Sequence, residues 1–391
     1  MPIVAVAAWA TLGGVTESRD LAASGRFDWL GASVMVLAVG GLSFGAIYGQ
    51  QREWRAPEAF AALVVGGAAA LAFPFLMARR RDPLVPLELF RSRNFSVTNL
   101  STLFIYSALY LTAHYVPIFT QGALGYSPPA AGAALIPAGL MLLLFSSHAG
   151  ALAARLGPRR FMVAGPSLMA LGLLWFTRIP ADSPPLRLDL GDGVEWLAIG
   201  SGGLVAARLA FGGRGVAGAL LAVGAAVLGM GGLVGALVSP GTAGYARDLL
   251  PAQLVYGAGV ALMVAPLTTA LMASVPVARS GLASAINNAV SRVGPQLAGA
   301  VVFIAVTAVF YAVLGELDPG LAGDGAVRAA FPPLNRPVGD VTPEELRAAM
   351  AASARAFHGA MLLAAVLLFG GALVNAVGIR DPLPEVDRGA G

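Results

Sequence analysis

One charged side chain stands well inside an otherwise uncharged apolar run: Arg292, within Gly281 to Leu314. Ser284, Asn288, Arg292 and Gln296 recur at intervals of four, so a helix carries them as one slanted polar stripe. An Arg in hydrocarbon without a partner is costly, so this face is expected to meet protein, water or the membrane surface. Two readings stay open: a contact with a second helical unit, or an Arg near one helix end that snorkels and bonds helix-end carbonyls. A second stripe joins Asn99, Tyr106, Tyr110 and His114, and a third joins Gln253, Tyr256 and Met263. Aromatic faces can hold organic cations and flat apolar molecules. Tyr at such positions also serves ordinary packing between helices. His148 and His358 are expected at the interface.

Much other chemistry is excluded. The chain has no Cys, so disulfides, iron–sulfur clusters and thiolate metal sites are absent. It also has no Lys, and all 25 basic residues are Arg. A P-loop lysine and a Schiff-base lysine are therefore ruled out. Gly41-Leu-Ser-Phe-Gly45 matches a hydrolase nucleophile elbow, but it lies in an apolar run with no acid or His beside it. It reads as a packing stripe, extended by Gly49. No convergent catalytic set, cofactor motif or metal-ligand cluster emerges, which argues against an enzyme. The 21 acids lie in loops, tails or helix ends, with Asp248 nearest a span, so no proton carrier in the membrane is evident. The pI of 9.7 does not imply nucleic acid, because the Arg residues sit between hydrophobic runs.

The elements that must position these residues are membrane helices. Charged residues are 12% of the chain against about 25% in soluble domains, and 57% of residues are hydrophobic, with mean hydropathy +0.75. A span needs about 20 mostly apolar residues. The acid-free stretches that meet or approach this are Leu30 to Tyr48, Ala59 to Ala78, Phe95 to Leu124, Pro129 to Ala154, Phe161 to Thr177, Leu249 to Ala278, Gly281 to Leu314 and Phe357 to Ile379. Strand alternation is lacking, which disfavours a β-barrel. Ser127-Pro128 is a helix start, and Leu156-Gly157-Pro158 a break between spans. If Thr16 to Leu30 is cytoplasmic, Arg79 to Arg81, Arg91, Arg93, Arg155, Arg159, Arg160, Arg279 and Arg380 all fall inside, as the positive-inside rule asks. Residues 178–248 form an unusually long connection. A helical hairpin of Trp196 to Phe211 and Val216 to Val238 preserves the orientation of the last three spans, as does a surface-lying amphipathic insert; a single extra span inverts it.

Several stretches resemble the major facilitator superfamily, specifically its fourteen-helix drug:proton antiporter family. Pro83-Leu-Val-Pro-Leu-Glu-Leu-Phe-Arg-Ser-Arg-Asn-Phe95 is similar to that family's linker into its C-terminal six-helix domain. Gln121, Gly125, Tyr126, Ser127, Pro128, Ala131, Gly132 and Pro137 resemble the turn after that domain's first helix. Gly150-Ala-Leu-Ala-Ala-Arg-Leu-Gly-Pro-Arg-Arg160, with Gly150, Arg155, Gly157, Arg159 and Arg160, resembles the cytoplasmic loop motif, although its acidic position is Ala154. Gly281-Leu-Ala-Ser-Ala-Ile-Asn-Asn-Ala-Val-Ser-Arg292 resembles the penultimate helix.

The resemblance implies an all-α integral membrane fold: a C-terminal six-helix major facilitator bundle, two linker transmembrane helices and a partial N-terminal helix. Residues 1–15 are then a remnant of the last N-terminal helix. Residues 16–94 are a linker with two extra spans, and 95–379 the transport domain with an insertion at about 178–248. Residues 380–391 form a cytoplasmic tail. It further implies Asn99, Tyr106, Tyr110, His114, Gln253, Tyr256 and Met263 in a substrate cavity, with Asn288, Arg292 and Gln296 in gating. The implied function is efflux of amphipathic or cationic compounds across a bacterial plasma membrane by proton antiport and alternating access. The protons would cross through an N-terminal half that this chain lacks. The alternative is a truncated, non-transporting helix bundle or accessory subunit.

Orientation is the first testable expectation. Single cysteines introduced at position 80 or 160 should react with a membrane-impermeant thiol reagent only from the cytoplasmic side, and labelling of position 80 from outside would overturn the assignment.

Overall fold

A computed structural model describes residues 2–14, 28–52, 54–80, 83–183, 244–321 and 325–381. The expected hairpin at 196–238 lies outside them. The described residues are helices and their connections: α1 (Pro2–Gly14), α2 (Trp29–Gln51), α3 (Pro57–Arg79), α4 (Arg93–Gly122), α5 (Pro128–Ala134), α6 (Ile136–Leu156), α7 (Pro158–Phe176), α8 (Leu250–Met272), α9 (Ser280–Leu317), α10 (Gly325–Ala330) and α11 (Pro343–Gly378). Among the described residues, seven helical segments are long and apolar enough to cross a bilayer. Helix α7 is not among them. Its 19 residues begin with Arg159 and Arg160, which lower its hydropathy at the short end of the spanning range.

Local chemistry sets the ends. The Ser127 side chain accepts from the Ala130 N–H at 3.4 Å and caps α5, as its pairing with Pro128 suggests. The expected span Pro129 to Ala154 is broken at Leu135, where Pro137 in the next first turn has no N–H to continue the ladder. Gly157 turns the chain from α6 into α7 at φ +86°, which its missing Cβ permits. Helix α11 starts 14 residues before Phe357, the first residue of the expected span. A capping box between Thr342 and Glu345 holds this charged extension, which hydropathy alone does not register.

The glycine stripe of α2 packs against α3. A Cβ on Gly41 would lie 2.8 Å from the Gly66 Cα, and one on Gly45 would lie 2.8 Å from the Ala59 carbonyl. The hydrolase-like pentapeptide is thus a helix–helix contact. Asp28 ties this hairpin to the linker. Its carboxylate accepts from the N–H groups of Gly31 (2.9 Å) and Leu84 (3.2 Å) and lies 3.7 Å from Arg80. Chiefly the Gly31 bond, with those of Leu84 and Arg80, holds its pKa below the usual carboxylate value, against the opposing pull of burial.

The main bundle is built from two interlocked triplets. Helix α8 packs against α6 and α7, α4 packs against α9 and α11, and α7 meets α11. Exchanging the triplets α4–α6–α7 and α8–α9–α11 reproduces these pairings, the pattern of an inverted repeat. Directions follow from contacts. Gly165 faces Gly259 and Met263, while Gly172 faces Ala252 and Tyr256, so α7 and α8 are antiparallel. Asn99 meets Asn287 and Leu103 meets Gly294, so α4 and α9 are parallel. Phe119 stacks on Phe357 at 4.0 Å and Val97 meets Gly378, so α4 and α11 are antiparallel.

Ser183 and Asp248, on either side of residues 184–243, are bonded at 2.7 Å. They lie at one end of the bundle, and the last three helices keep the orientation that the Arg distribution requires. At the opposite end Arg93 donates to the carbonyls of Val377 and Gly378, both at 2.9 Å, and Arg159 donates to that of Ala376. Arg279 pairs there with Glu88 at 3.4 Å. The basic loops expected inside therefore gather at one face.

The close crossing of α7 and α8 predicts a sharp asymmetry between two glycines. Gly172→Ala places a Cβ 2.7 Å from the Tyr256 backbone nitrogen and should cost roughly 1–3 kcal/mol by overpacking. Gly67→Ala, with nothing within 4 Å, should be neutral or stabilising through helix propensity. Thermal unfolding in detergent micelles measures both, and equal effects would show that the crossing is looser than described.

Candidate functional site

Helix α4 changes character along its length. At the end nearest the basic loops its polar face is sealed by α9. Asn99 is 4% exposed and donates to the Phe95 carbonyl at 2.9 Å. Asn287 donates to Asn99 Oδ1 at 3.2 Å and to Thr102 Oγ1 at 2.9 Å. Farther out the same face is uncovered: Tyr106 is half-buried, Tyr110 is 47% exposed and His114 is exposed, its ring edge-on to Tyr115 at 5.1 Å. A neutral buried network thus closes one end of the stripe while its aromatic end faces outward.

The other sequence candidates divide. Gln253, Tyr256 and Met263 do not join this open face; all three are buried. Gly172 and Gly165 of α7 bring that helix against Tyr256 and Met263. Asn288 and Arg292 are exposed and Gln296 is half-buried. Arg292 stands about 18 Å along α9 from Ser280 at 1.5 Å per residue. Among the described residues no carboxylate lies within 4.0 Å of its guanidinium. His148 is exposed with Ser147 Oγ 3.4 Å from its Nδ1, and the Nε2 of half-buried His358 lies 2.9 Å from the Ile179 carbonyl. No group of three or more His, Cys, Asp or Glu able to hold a metal occurs among the described residues.

Asn287 is the residue that sequence reasoning missed. Its neighbour Asn288 falls on the stripe with Arg292, but the row Ala283, Asn287, Ser291 and Gly294 is the one buried. Small residues at that spacing were the available signal. In the loop motif, a Cβ on Gly150 would lie 3.0 Å from the Ala265 side chain of α8, Arg155 and Arg160 are exposed, and Arg159 bonds the end of α11. Ala154 occupies the acidic position, but Asp381 packs its carboxylate over Gly157, where a Cβ would be 2.6–2.8 Å away.

Comparison with known proteins decides the relationship. The multidrug resistance protein Stp of Mycobacterium tuberculosis is 26% identical over 305 residues, 77% of this chain and 44% of Stp. The chain is related to the major facilitator superfamily transporters. Two other relatives of this type are the multidrug transporter protein MdtP of Bacillus subtilis, 27% identical over 41% of this chain and 30% of MdtP, and the lincomycin resistance protein LmrB of Listeria innocua, 24% identical over 42% of this chain and 35% of LmrB. No protein-family model matches. The chain spans less than half the length of these curated relatives. As in the superfamily, its described spans form an all-α multi-pass bundle, and the bacterial relatives place it in the plasma membrane.

The Asn287 network makes a measurable claim. Asn287→Ala leaves Asn99 Oδ1 without its buried donor and should lower stability by about 1–3 kcal/mol, whereas Asn288→Ala should change it by less than about 0.5 kcal/mol. Thermal unfolding of the two variants in the same detergent distinguishes them, and a larger effect at 288 would reverse the assignment.

Proposed function

We propose that this chain forms the C-terminal part of a secondary efflux transporter for amphipathic or cationic compounds, working by alternating access and driven by protons. The observation that carries the reading is the uncovered outer half of α4. Tyr106, Tyr110 and His114 lie there in a chain related to drug transporters. A membrane helix facing lipid has no use for an exposed His beside two Tyr, whereas a substrate cavity needs a few polar groups among aromatic walls to orient its ligand. Arg292 and Asn288 favour the same division of labour. An exposed Arg this far along a spanning helix requires water or a partner, and a second helical unit closing against α9 would provide it. Tyr256 and Met263 act in this reading by setting how α8 seats against α7, and Gln253 by occupying the buried start of α8.

Glu58, Asp248, Glu316, Glu344 and Glu345 lie in first or last turns, and Asp28 and Asp318 lie just outside the helices they cap. Proton coupling is therefore assigned to groups outside this set, in the second helical unit. Purified chain in liposomes loaded with ethidium should release little dye under an imposed proton gradient, and robust gradient-driven release by this chain alone would overturn that division. With the second unit present, Tyr110→Ala should change substrate preference at unchanged expression. Arg292→Ala should slow turnover of all substrates alike. Intact transport in both variants would move the site elsewhere.

A further inference from the structure

The outer end of the groove between the α2–α3 hairpin and α9 holds a cavity of about 340 Å³ unlike any surface used above. It is lined by Trp54, Phe303, Ile304, Thr307, Tyr311 and Arg328, among others. Trp54 adopts φ +60°, a left-handed conformation unfavourable for a bulky residue. Its indole lies over Gly49, where a Cβ would be 2.5 Å from the ring, and its Nε1–H is buried with no acceptor. The Thr307 hydroxyl in the same lining is also buried without a partner. Arg328 sits with its guanidinium 4.8 Å from the Tyr311 ring centroid, half-buried, and no carboxylate among the described residues pairs with it. A strained backbone, two buried polar groups without partners and a cation that no described carboxylate neutralises thus belong to residues that line one space. Buried polar atoms are normally bonded, so this convergence calls for an acceptor of negative charge. The apolar side of the lining, Phe303, Ile304 and Ala308, belongs to the α9 face that carries Ile286, Val290 and Val293 into a second, almost wholly apolar cavity of about 330 Å³.

We propose that this outer cavity binds the anionic head of an amphiphile, a phosphate or carboxylate, with the alkyl part lying along α9. Arg328 supplies the counter-charge, Trp54 Nε1–H and Thr307 Oγ1–H donate to the head group, and Phe303 and Ile304 contact the chain. The head-group chemistry is shared by an anionic membrane lipid and a free anionic amphiphile. The site is independent of the transport reading, since it lies against the linker hairpin and not on the open face of α4.

The test uses the whole chain, purified and placed in phosphatidylcholine nanodiscs containing a minor fraction of phosphatidylglycerol, with retained lipid identified by native mass spectrometry. Lauric acid is the second probe. The parent should retain one anionic molecule in preference to phosphatidylcholine. Arg328→Gln should weaken retention about tenfold, the size of one charge-assisted contact, while Arg347→Gln, outside the cavity, should not. Trp54→Phe keeps the ring over Gly49 and removes the N–H, so it reports on the site even if Arg328→Gln fails to fold; it should weaken retention of both probes. Enrichment of phosphatidylglycerol identifies a lipid site, and binding of lauric acid alone a site for free anionic amphiphiles; both support the proposal. Equal retention of phosphatidylcholine, or no loss in Trp54→Phe and Arg328→Gln, would overturn it.

Discussion

Hydrocarbon offers a membrane helix no hydrogen bonds and almost no hydrophobic reason to seek another helix, so association depends on how closely backbones can approach. The structure meets this constraint with glycine at its crossings. Gly41 and Gly66 join α2 to α3, Gly165, Gly172 and Gly259 join α7 to α8, and Gly294 brings α9 onto α4. At each of these a single added methyl would strike the partner helix at 2.5–2.9 Å. Dispersion falls steeply with separation, and it is recovered at these contacts because nothing larger than hydrogen intervenes.

The same constraint explains why the interior polar groups are neutral. Asn94, Asn99, Asn287 and Asn375 are buried in the half of the bundle nearest the basic loops. Asn94 pairs with the Arg380 backbone in both directions, and Asn375 donates to the Met162 carbonyl at 2.8 Å. Amides link helices there without the desolvation cost of a charge. The charges are kept for the rim. Arg93 and Arg159 reach the last carbonyls of α11, which have no partners within their own helix, and guanidinium groups are well placed to satisfy them.

Against that closed end, the outer half of α4 stands apart. Its backbone bonds are internal and its inner face packs on α11, yet Tyr110 and His114 remain uncovered. The bundle is thus tight at one end and open along one stripe.

The sequence by itself determined the class of the protein, the approximate place of each long helix and the gathering of basic loops at one end of the bundle. These follow from hydropathy, Pro and Gly punctuation and Arg placement, which act locally or through the bilayer. Only the tertiary structure decided which stripe faces open space. Tyr110 and Tyr256 have the same chemistry on helices of similar pattern, yet one is 47% exposed and the other 9%. The difference comes from Gly172, on a third helix, which lets α7 close over α8. Likewise Asn287 and Asn288 are adjacent and identical, and a rotation of 100° per residue turns one into the α4 contact and the other outward. Asp381 over Gly157, and Trp54 beside Arg328, join residues more than 200 positions apart. Periodicity states which residues share a face of one helix; which faces meet depends on the mutual fit of several helices, and no local pattern encodes that fit.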